Sequence, residues 1–220
     1  MSTATERPLR KDAERNRQRV LDAARELFAE RGLGVSLDDI AHHAGVGVGT
    51  VYRRFPDKEQ LIDALFEDRI ADMLGAASES LELPDPWLGL VHFLERALEM
   101  QVEDRALKEL LLSTSEAHAR IERARRQIQP VVAAVLERAQ RVGAVRPDLE
   151  VADLLLLQHA IGEVADYTRE AAPEVWRRTL TIALDGLRPD RRRPSPMPSP
   201  ALDDEQIVCS MRDWGSRRRR

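Results

Sequence analysis

The side chains best suited to binding chemistry are hydroxyl and guanidinium groups clustered within residues 36–55, which read SLDDIAHHAGVGVGTVYRRF. The hydroxyls of Thr50 and Tyr52 can bond to phosphate oxygens. The guanidinium groups of Arg53 and Arg54 can each bind either phosphate or guanine, and the sequence leaves both roles open for each arginine. The cluster therefore predicts a surface that binds nucleic acid.

Two short helices joined by a tight turn would position this cluster. Ser36 is a favourable N-cap, and Asp39, three residues later, is the reciprocal partner in a capping box. The Ser36 hydroxyl or the helix-end amides could also bind phosphate, so capping alone and phosphate binding both stay open. Gly45 suits the left-handed backbone that ends a helix. The first helix would bury four apolar residues at helical spacing, namely Leu37, Ile40, Ala41 and Ala44.

The second helix, at about residues 48–55, would bury Val51 and the final phenylalanine and turn its polar residues outward. Gly47 and Gly49 leave room for a close approach to a groove, and Val48 between them could contact a thymine methyl group. The whole pattern predicts a helix-turn-helix, in which the second helix enters the major groove of DNA.

Further helices are expected on both sides of this unit. An amphipathic helix from about Asp12 to Gly32 precedes it, and Asp57 caps a fourth helix that runs to about residue 80. The segment 83–86, LPDP, marks an internal boundary. Beyond it, helices are expected at about residues 87–103, 104–112, 115–142, 149–170 and 174–187, the third of them kinked or broken at Pro130.

Composition favours an all-α fold, because alanine, leucine, arginine and glutamate abound while aromatic residues make up 4%. No stretch approaches the roughly 18 apolar residues of a membrane span, and the N-terminus lacks the apolar core of a secretion signal. The single cysteine, Cys209, fits a reducing compartment, so we expect a cytoplasmic protein. The net charge is −4, yet residues 1–20 hold six basic and three acidic residues, which favours a local phosphate-facing surface.

The first third of the chain resembles the DNA-binding domain of the TetR family of transcriptional regulators. The resemblance rests on RQRVLDAARELFAERG at residues 17–32 and SLDDIAHHAGVGVGTVYRRFPDKEQLIDALF at residues 36–66. It implies an N-terminal three-helix DNA-binding head, a linker helix and a helical-bundle body that binds a ligand and dimerises, about nine helices in all. The expected domains are a disordered basic arm, a helix-turn-helix domain with its linker helix, the ligand-binding and dimerisation domain, and a disordered Pro/Arg-rich tail, at residues 1–11, 12–80, 84–188 and 189–220.

The resemblance also implies roles for particular residues. Thr50 and Tyr52 match positions that contact the DNA backbone in the family, and Lys58 matches its phosphate-contacting lysine. The expected DNA-binding residues are Ser36, Gly47, Val48, Gly49, Thr50, Tyr52, Arg53, Arg54 and Lys58.

Residues of the body are assigned by position, because no motif identifies them. The expected lining of a ligand pocket consists of Trp87, Phe93, Leu94, His118, Ile121 and Gln158. The last two helices should pair two copies of the chain through Leu154, Leu157, Ile161, Trp176, Leu180 and Leu184. No metal site is expected, because the adjacent His42 and His43 point apart on a helix and lack further ligands. His43 is expected near the DNA surface.

The sequence therefore predicts a repressor that binds a near-palindromic operator as a homodimer and is released by a small-molecule effector. No cofactor is expected. One alternative is a helix-turn-helix regulator whose body docks a protein partner instead of an effector. The other is a helical enzyme, which is disfavoured because no nucleophile, phosphate loop or ligand cluster is apparent.

Overall fold

The structure, a computed structural model, describes residues 6–103 and 117–189; the side chains at 6–11, 33, 117 and 118 lie outside that description. The described residues form eight α-helices and no strand, which confirms the all-α prediction. They separate into two compact units, and the boundary falls between Arg69 and Ile70. None of the described helices has the length and apolarity that crossing a bilayer requires.

The first unit contains three helices, a 3₁₀ turn and the beginning of a fourth helix. They are α1 Glu6–Arg31, the 3₁₀ turn Gly32–Gly34, α2 Leu37–Ala44, α3 Val48–Arg54 and α4 Lys58–Glu82. Their apolar faces form one core, with Leu21, Ala24, Ile40, Ala41 and Leu61 fully buried. This core fixes the angle between α2 and α3.

Helix α1 begins at Glu6. The expected start near Asp12 and the expected disorder of residues 6–11 are therefore wrong, while residues 1–5 lie outside the described part of the chain. Pro8 falls in the first turn of α1, where a missing N–H removes no intrahelical hydrogen bond. The surrounding charged residues and leucine are good helix formers, so nothing in this stretch opposes the helix.

Helix α4 supplies buried side chains to both units. Leu61 and Leu65 belong to the first core, whereas Ala77 belongs to the second. The boundary between the units therefore lies earlier than the LPDP segment at 83–86. That segment nevertheless separates two helices, because α4 ends at Glu82 and the next helix begins at Pro86.

The second unit comprises the rest of α4 and four further helices, α5 Pro86–Glu103, α6 Ala117–Arg141, α7 Val151–Thr168 and α8 Val175–Leu187. Helix α6 runs through Pro130 as one element, so the expected break is wrong. Pro130 is exposed, and the buried Val132 and Val135 hold the following turns against the core. The expected helix at about 104–112 and the tail from residue 190 lie outside the described residues.

Two contacts bring α4 close to its neighbours within the second unit. Gly89 of α5 lies so near the Ser80 carbonyl of α4 that an added Cβ would sit 2.5 Å from that oxygen. Arg138 of α6 donates hydrogen bonds to the carbonyls of Ser80, Leu83 and Pro84. Because the last carbonyls of a helix have no intrahelical partner, Arg138 caps the end of α4.

Candidate nucleic-acid interface

Helix α2 begins with the capping box that the sequence predicts. The Ser36 Oγ accepts a hydrogen bond from the Asp39 amide at 3.1 Å, and the Asp39 carboxylate accepts from the Ser36 amide at 3.0 Å. The Ser36 hydroxyl also donates to Asp39 at 2.6 Å. These hydrogen bonds with Ser36 hold the pKa of Asp39 below its usual value. The hydroxyl proton is therefore already used, and only backbone amides at this helix end remain as donors for a phosphate.

The turn between α2 and α3 requires glycine at position 45. Gly45 adopts φ of 60°, a left-handed conformation that strains residues with a Cβ. Its carbonyl also accepts a hydrogen bond from Arg19 Nη2 at 3.3 Å, and an added Cβ would lie 2.8 Å from that nitrogen. Helix α1 thereby fixes the turn from which α3 starts.

Helix α3 divides into a buried side and an exposed side. Val51 and Phe55 are 1% and 4% exposed, as predicted. Gly47 caps the helix and accepts backbone hydrogen bonds from Thr50 and Val51 at 2.8 and 3.2 Å. At Gly49 an added Cβ would lie more than 4 Å from every other described part of the chain outside α3 itself, so this surface is open to an external molecule.

The predicted donors differ in how accessible they are. Arg53 and Arg54 are exposed, and neither forms an ion pair within the described part of the chain. Thr50 is half-buried, and Lys58, the first residue of α4, is also half-buried. Val48 packs against the core of the first unit, so its methyl groups are only partly available to a base. The side chains of Arg53 and Arg54 are therefore more accessible than that of Lys58.

Tyr52 is 44% exposed. Hydrogen bonding with the carboxylate of Asp38, in the first turn of α2, and the negative charge of that carboxylate raise the pKa of the Tyr52 hydroxyl. Sequence reasoning missed Asp38 because the two residues lie on different helices. The sequence did offer one signal: Asp38 is a second acid beside Asp39, and the capping box needs only Asp39.

Ion pairs hold α1 against α2 and α4 within the first unit. Asp68 of α4 accepts from Arg25 Nη2 at 2.6 Å and from Arg17 Nη1 at 3.3 Å. His43 of α2 pairs with Glu26 of α1 at 2.7 Å. His43 thus bonds to α1 while its side chain stays 41% exposed, and its place near the DNA surface stays a prediction.

The six residues expected to line a ligand pocket differ in their surroundings, and their role in a pocket stays a prediction. Phe93 and Leu94 are 2% and 0% exposed and belong to the core of the second unit. Ile121 is half-buried on α6, and the side chain of His118 lies outside the described residues. Gln158 of α7 is half-buried, and its Nε2 is shielded from solvent without a hydrogen-bond partner. Choosing residues by apolar type and position thus picked Phe93 and Leu94, which belong to the core, together with Gln158.

Trp87, the sixth predicted lining residue, borders an open groove of about 390 Å³ on the second unit. The groove is also lined by Asp85, Leu88, Gly143, Ala144, Arg188 and Pro189. The Arg188 guanidinium stacks over the Trp87 ring at 4.1 Å from its centre. Asp85 accepts from the Trp87 amide at 2.8 Å and so caps α5.

Most of the residues predicted for dimerisation are buried within a single chain, and their contact with a second copy stays a prediction. The buried members are Leu154, Ile161, Trp176, Leu180 and Leu184, each 8% exposed or less, while Leu157 is half-buried. The aliphatic residues larger than alanine that α7 and α8 leave exposed are Leu155, Leu156 and Ile182, at 36%, 42% and 64%, and Tyr167 of α7 is 92% exposed. These outward-facing side chains are accessible to a second copy.

No group of three or more histidine, cysteine, aspartate or glutamate side chains within the described ranges is arranged to hold a metal ion. His42 is exposed and lies beside the His43–Glu26 pair.

Comparisons with known proteins match both units. Residues 20–65 match the profile of bacterial regulatory proteins of the tetR family, and residues 85–189 match the C-terminal domain of SbtR-like transcriptional regulators. The TetR transcription regulatory protein from Mycobacterium vanbaalenii, known from a crystal structure, is 35% identical, with 82% of this chain and 99% of that chain covered and a TM-score of 0.67. The chain belongs to the TetR family.

Other TetR-like proteins agree with this assignment. The TetR transcriptional regulator SCO0520 from Streptomyces coelicolor is 28% identical, with 80% of this chain and 99% of that chain covered and a TM-score of 0.66. An uncharacterized HTH-type transcriptional regulator of Bacillus subtilis, YhgD, is 28% identical over 165 residues, which cover 70% of this chain and 85% of the relative. As a TetR-family protein, this chain is a transcriptional regulator with a DNA-binding helix-turn-helix, and it is not an enzyme.

Proposed function

We propose that this TetR-family regulator is a cytoplasmic repressor whose homodimer binds a near-palindromic operator through α3 and leaves it when a small molecule binds the second unit. The observation that carries the DNA-binding part is the exposed side of α3. There Arg53 and Arg54 extend without ion-pair partners in the described chain, next to the open surface at Gly49. A positively charged helix whose backbone is accessible at a glycine can approach closely to a groove lined by phosphates.

A second copy of the chain is supported by the exposed leucines and isoleucine of the last two helices. Leu155, Leu156 and Ile182 lie on α7 and α8 and are at least one-third exposed. Exposed apolar side chains gathered on neighbouring helices mark an interaction surface. Two heads related by a two-fold axis would read the two halves of a palindrome.

The effector part of the proposal rests on the second unit. The amide nitrogen of Gln158 is shielded from solvent without a hydrogen-bond partner, and buried polar groups of this kind are costly unless a partner satisfies them. A ligand that binds one conformation of this unit better than another would shift the population away from the DNA-binding form.

Selection from a random duplex library, followed by fluorescence anisotropy titration, tests the DNA-binding part. The full-length chain should enrich a near-palindromic sequence, and its affinity should fall steeply with salt. Arg53→Ala and Arg54→Ala should each weaken binding and reduce the salt slope by roughly one. Arg141→Ala removes the same charge from an exposed position at the end of α6 and should leave affinity unchanged.

Light scattering then measures the oligomeric state, and a compound library screened against the bound operator tests for release. A mass near twice the 24.9 kDa of the chain is expected. Failure to enrich any sequence, together with affinity insensitive to salt and to both arginine substitutions, would contradict the DNA-binding proposal. A monomer that binds a single half-site would contradict the two-fold arrangement.

A further inference from the structure

Arg19 is a cation of α1 whose side chain contacts the turn of the helix-turn-helix. Its Nη2 donates a hydrogen bond to the Gly45 carbonyl at 3.3 Å. Two other arginines of α1, Arg17 and Arg25, are paired with the carboxylate of Asp68. Arg19 is exposed and pairs with no carboxylate in the part of the chain that the structure describes. Its positive charge is therefore available to an external anion.

The bond to Gly45 uses only part of the hydrogen-bonding capacity of Arg19. A guanidinium group carries five N–H donors in a planar fork. Capping the end of α2 needs only the bond to the Gly45 carbonyl, so the other donors are left for a second acceptor. The oxygens of a phosphate match such a fork in geometry and in charge. Arg19 can therefore hold the turn and bind a phosphate at the same time.

The bond to Gly45 also places the Arg19 guanidinium beside the start of α3. Gly47, the N-cap of α3, follows Gly45 by two residues, so the Cα atoms of these glycines are at most about 7.6 Å apart. In a helix-turn-helix bound to DNA, the N-terminal residues of the second helix contact base edges in the major groove, while the first helix crosses the backbone. The turn between the two helices therefore lies at the edge of the groove, close to the phosphates.

We propose that Arg19 binds a phosphate of the DNA backbone in each half-site while it holds the Gly45 carbonyl, and so fixes the turn against one edge of the major groove. This inference rests on the proposed binding of α3 in that groove. A phosphate contact carries no sequence information directly, so Arg19 sets the position of α3 rather than the base that α3 prefers. Gly45 is part of this arrangement, because an added Cβ would lie 2.8 Å from Arg19 Nη2.

The salt dependence of operator binding by Arg19 variants tests the role of the charge. Arg19→Gln keeps an N–H donor but removes the charge, whereas Arg19→Lys keeps the charge. Loss of one phosphate contact should lower the slope of log affinity against log salt by about 0.9, so over a fourfold rise in salt the unmodified chain should lose about 3.5-fold more affinity than Arg19→Gln. Arg19→Lys and the control Arg141→Ala should keep the slope of the unmodified chain.

Operators with a single neutral phosphate locate the contact. A methylphosphonate replaces one charged phosphate oxygen by a methyl group, so the phosphates of a half-site are neutralised one at a time. At the phosphate that Arg19 binds, this replacement should weaken the unmodified chain by about 10-fold and Arg19→Gln by less than about twofold in anisotropy titration. If Arg19 only caps α2, every neutral phosphate should affect the two proteins equally.

The outcomes separate this inference from the proposed function. If the unmodified chain selects an operator but Arg19→Gln keeps the full salt slope, the phosphate role of Arg19 is refuted and DNA binding by α3 stands. The same conclusion follows if no neutral phosphate distinguishes the two proteins. If the unmodified chain selects no sequence, the proposed function itself fails. Arg19 is exposed, so circular dichroism should show that Arg19→Gln is folded, and Arg19→Ala provides a second variant with the same expected slope.

Discussion

Asp68→Asn should destabilise the first unit by about 2 kcal/mol, because it removes the charge that two arginines of α1 share. Arg25 and Arg17 reach the two carboxylate oxygens at 2.6 and 3.3 Å. The substitution keeps the size of the side chain and one acceptor oxygen. It therefore isolates the charge from the packing.

The magnitude follows from the exposure of the three side chains. Exposed ion pairs contribute roughly 0–1 kcal/mol, whereas breaking a buried pair costs about 3–5 kcal/mol. Asp68, Arg17 and Arg25 are 17%, 18% and 20% exposed, which places this cluster between the two classes. Asp22 provides a matched control, because it also contacts Arg25, at 3.1 Å, but is 53% exposed. Asp22→Asn should cost less than about 0.5 kcal/mol.

The pH dependence of the effect has a definite sign. Burial raises the pKa of Asp68, but the hydrogen bond and charge of Arg25 and the hydrogen bonds from Arg17 and Gln18 together lower it by more, so the net pKa lies below its ordinary value. A carboxyl whose pKa is lower in the folded chain stabilises that state at pH values above its unfolded pKa, about 3.9. The difference between the unmodified chain and Asp68→Asn should therefore be constant from pH 7 to about pH 5. It should vanish as the pH falls through the folded pKa.

Urea unfolding followed by circular dichroism and by hydrogen exchange measures this effect. All three tryptophans lie outside residues 1–69, so their fluorescence reports on the rest of the chain and exchange of α1 amides reports on the first unit. A double-mutant cycle with Arg25→Met should give a coupling of at least about 1 kcal/mol. Equal effects of Asp68→Asn and Asp22→Asn, or a difference that grows below pH 4, would refute the reasoning.

Three further substitutions test the interface, the second unit and the dimer. Gly49→Ala should stabilise the fold by about 0.5 kcal/mol in thermal unfolding, because the added Cβ meets no atom within 4 Å, yet it should weaken operator binding if DNA approaches that backbone. Gly89→Ala should destabilise the second unit by about 2 kcal/mol in urea unfolding followed by tryptophan fluorescence, because the added Cβ would lie 2.5 Å from a carbonyl oxygen of α4. Gly75→Ala is the control: space is open around Gly75, so this substitution should be neutral or stabilising in the same assay. Leu156→Glu should convert the proposed dimer to a monomer in light scattering without unfolding it, because Leu156 is 42% exposed; an unchanged mass would place the interface elsewhere.

Local features of the first unit followed from the sequence because their partners are close along the chain. The capping box joins residues three apart, and the turn at Gly45 depends on the backbone of one residue. The bond between Asp38 and Tyr52 joins two helices and depends on the angle between them. That angle is set by the core of the unit, which no local pattern encodes.

The second unit shows why residue type alone does not tell which leucines are accessible to a second copy. Residues 154–157 are four consecutive leucines, and successive positions of a helix point about 100° apart. Some of them must face inward and others outward, yet their identity is the same. The structure turns Leu154 into the core and leaves Leu155 and Leu156 exposed. Only the packing of α7 against its neighbours determines that rotation.

Two of the hydroxyls that suggested phosphate binding are already bonded within the chain. Ser36 donates to Asp39, and Tyr52 is bonded to Asp38. The accessible side-chain donors of the helix-turn-helix are then mainly the guanidinium groups of Arg53 and Arg54, whose attraction to phosphates depends on salt and not on sequence. Either guanidinium group can also bind a guanine, so the same two side chains can contribute to discrimination between operators.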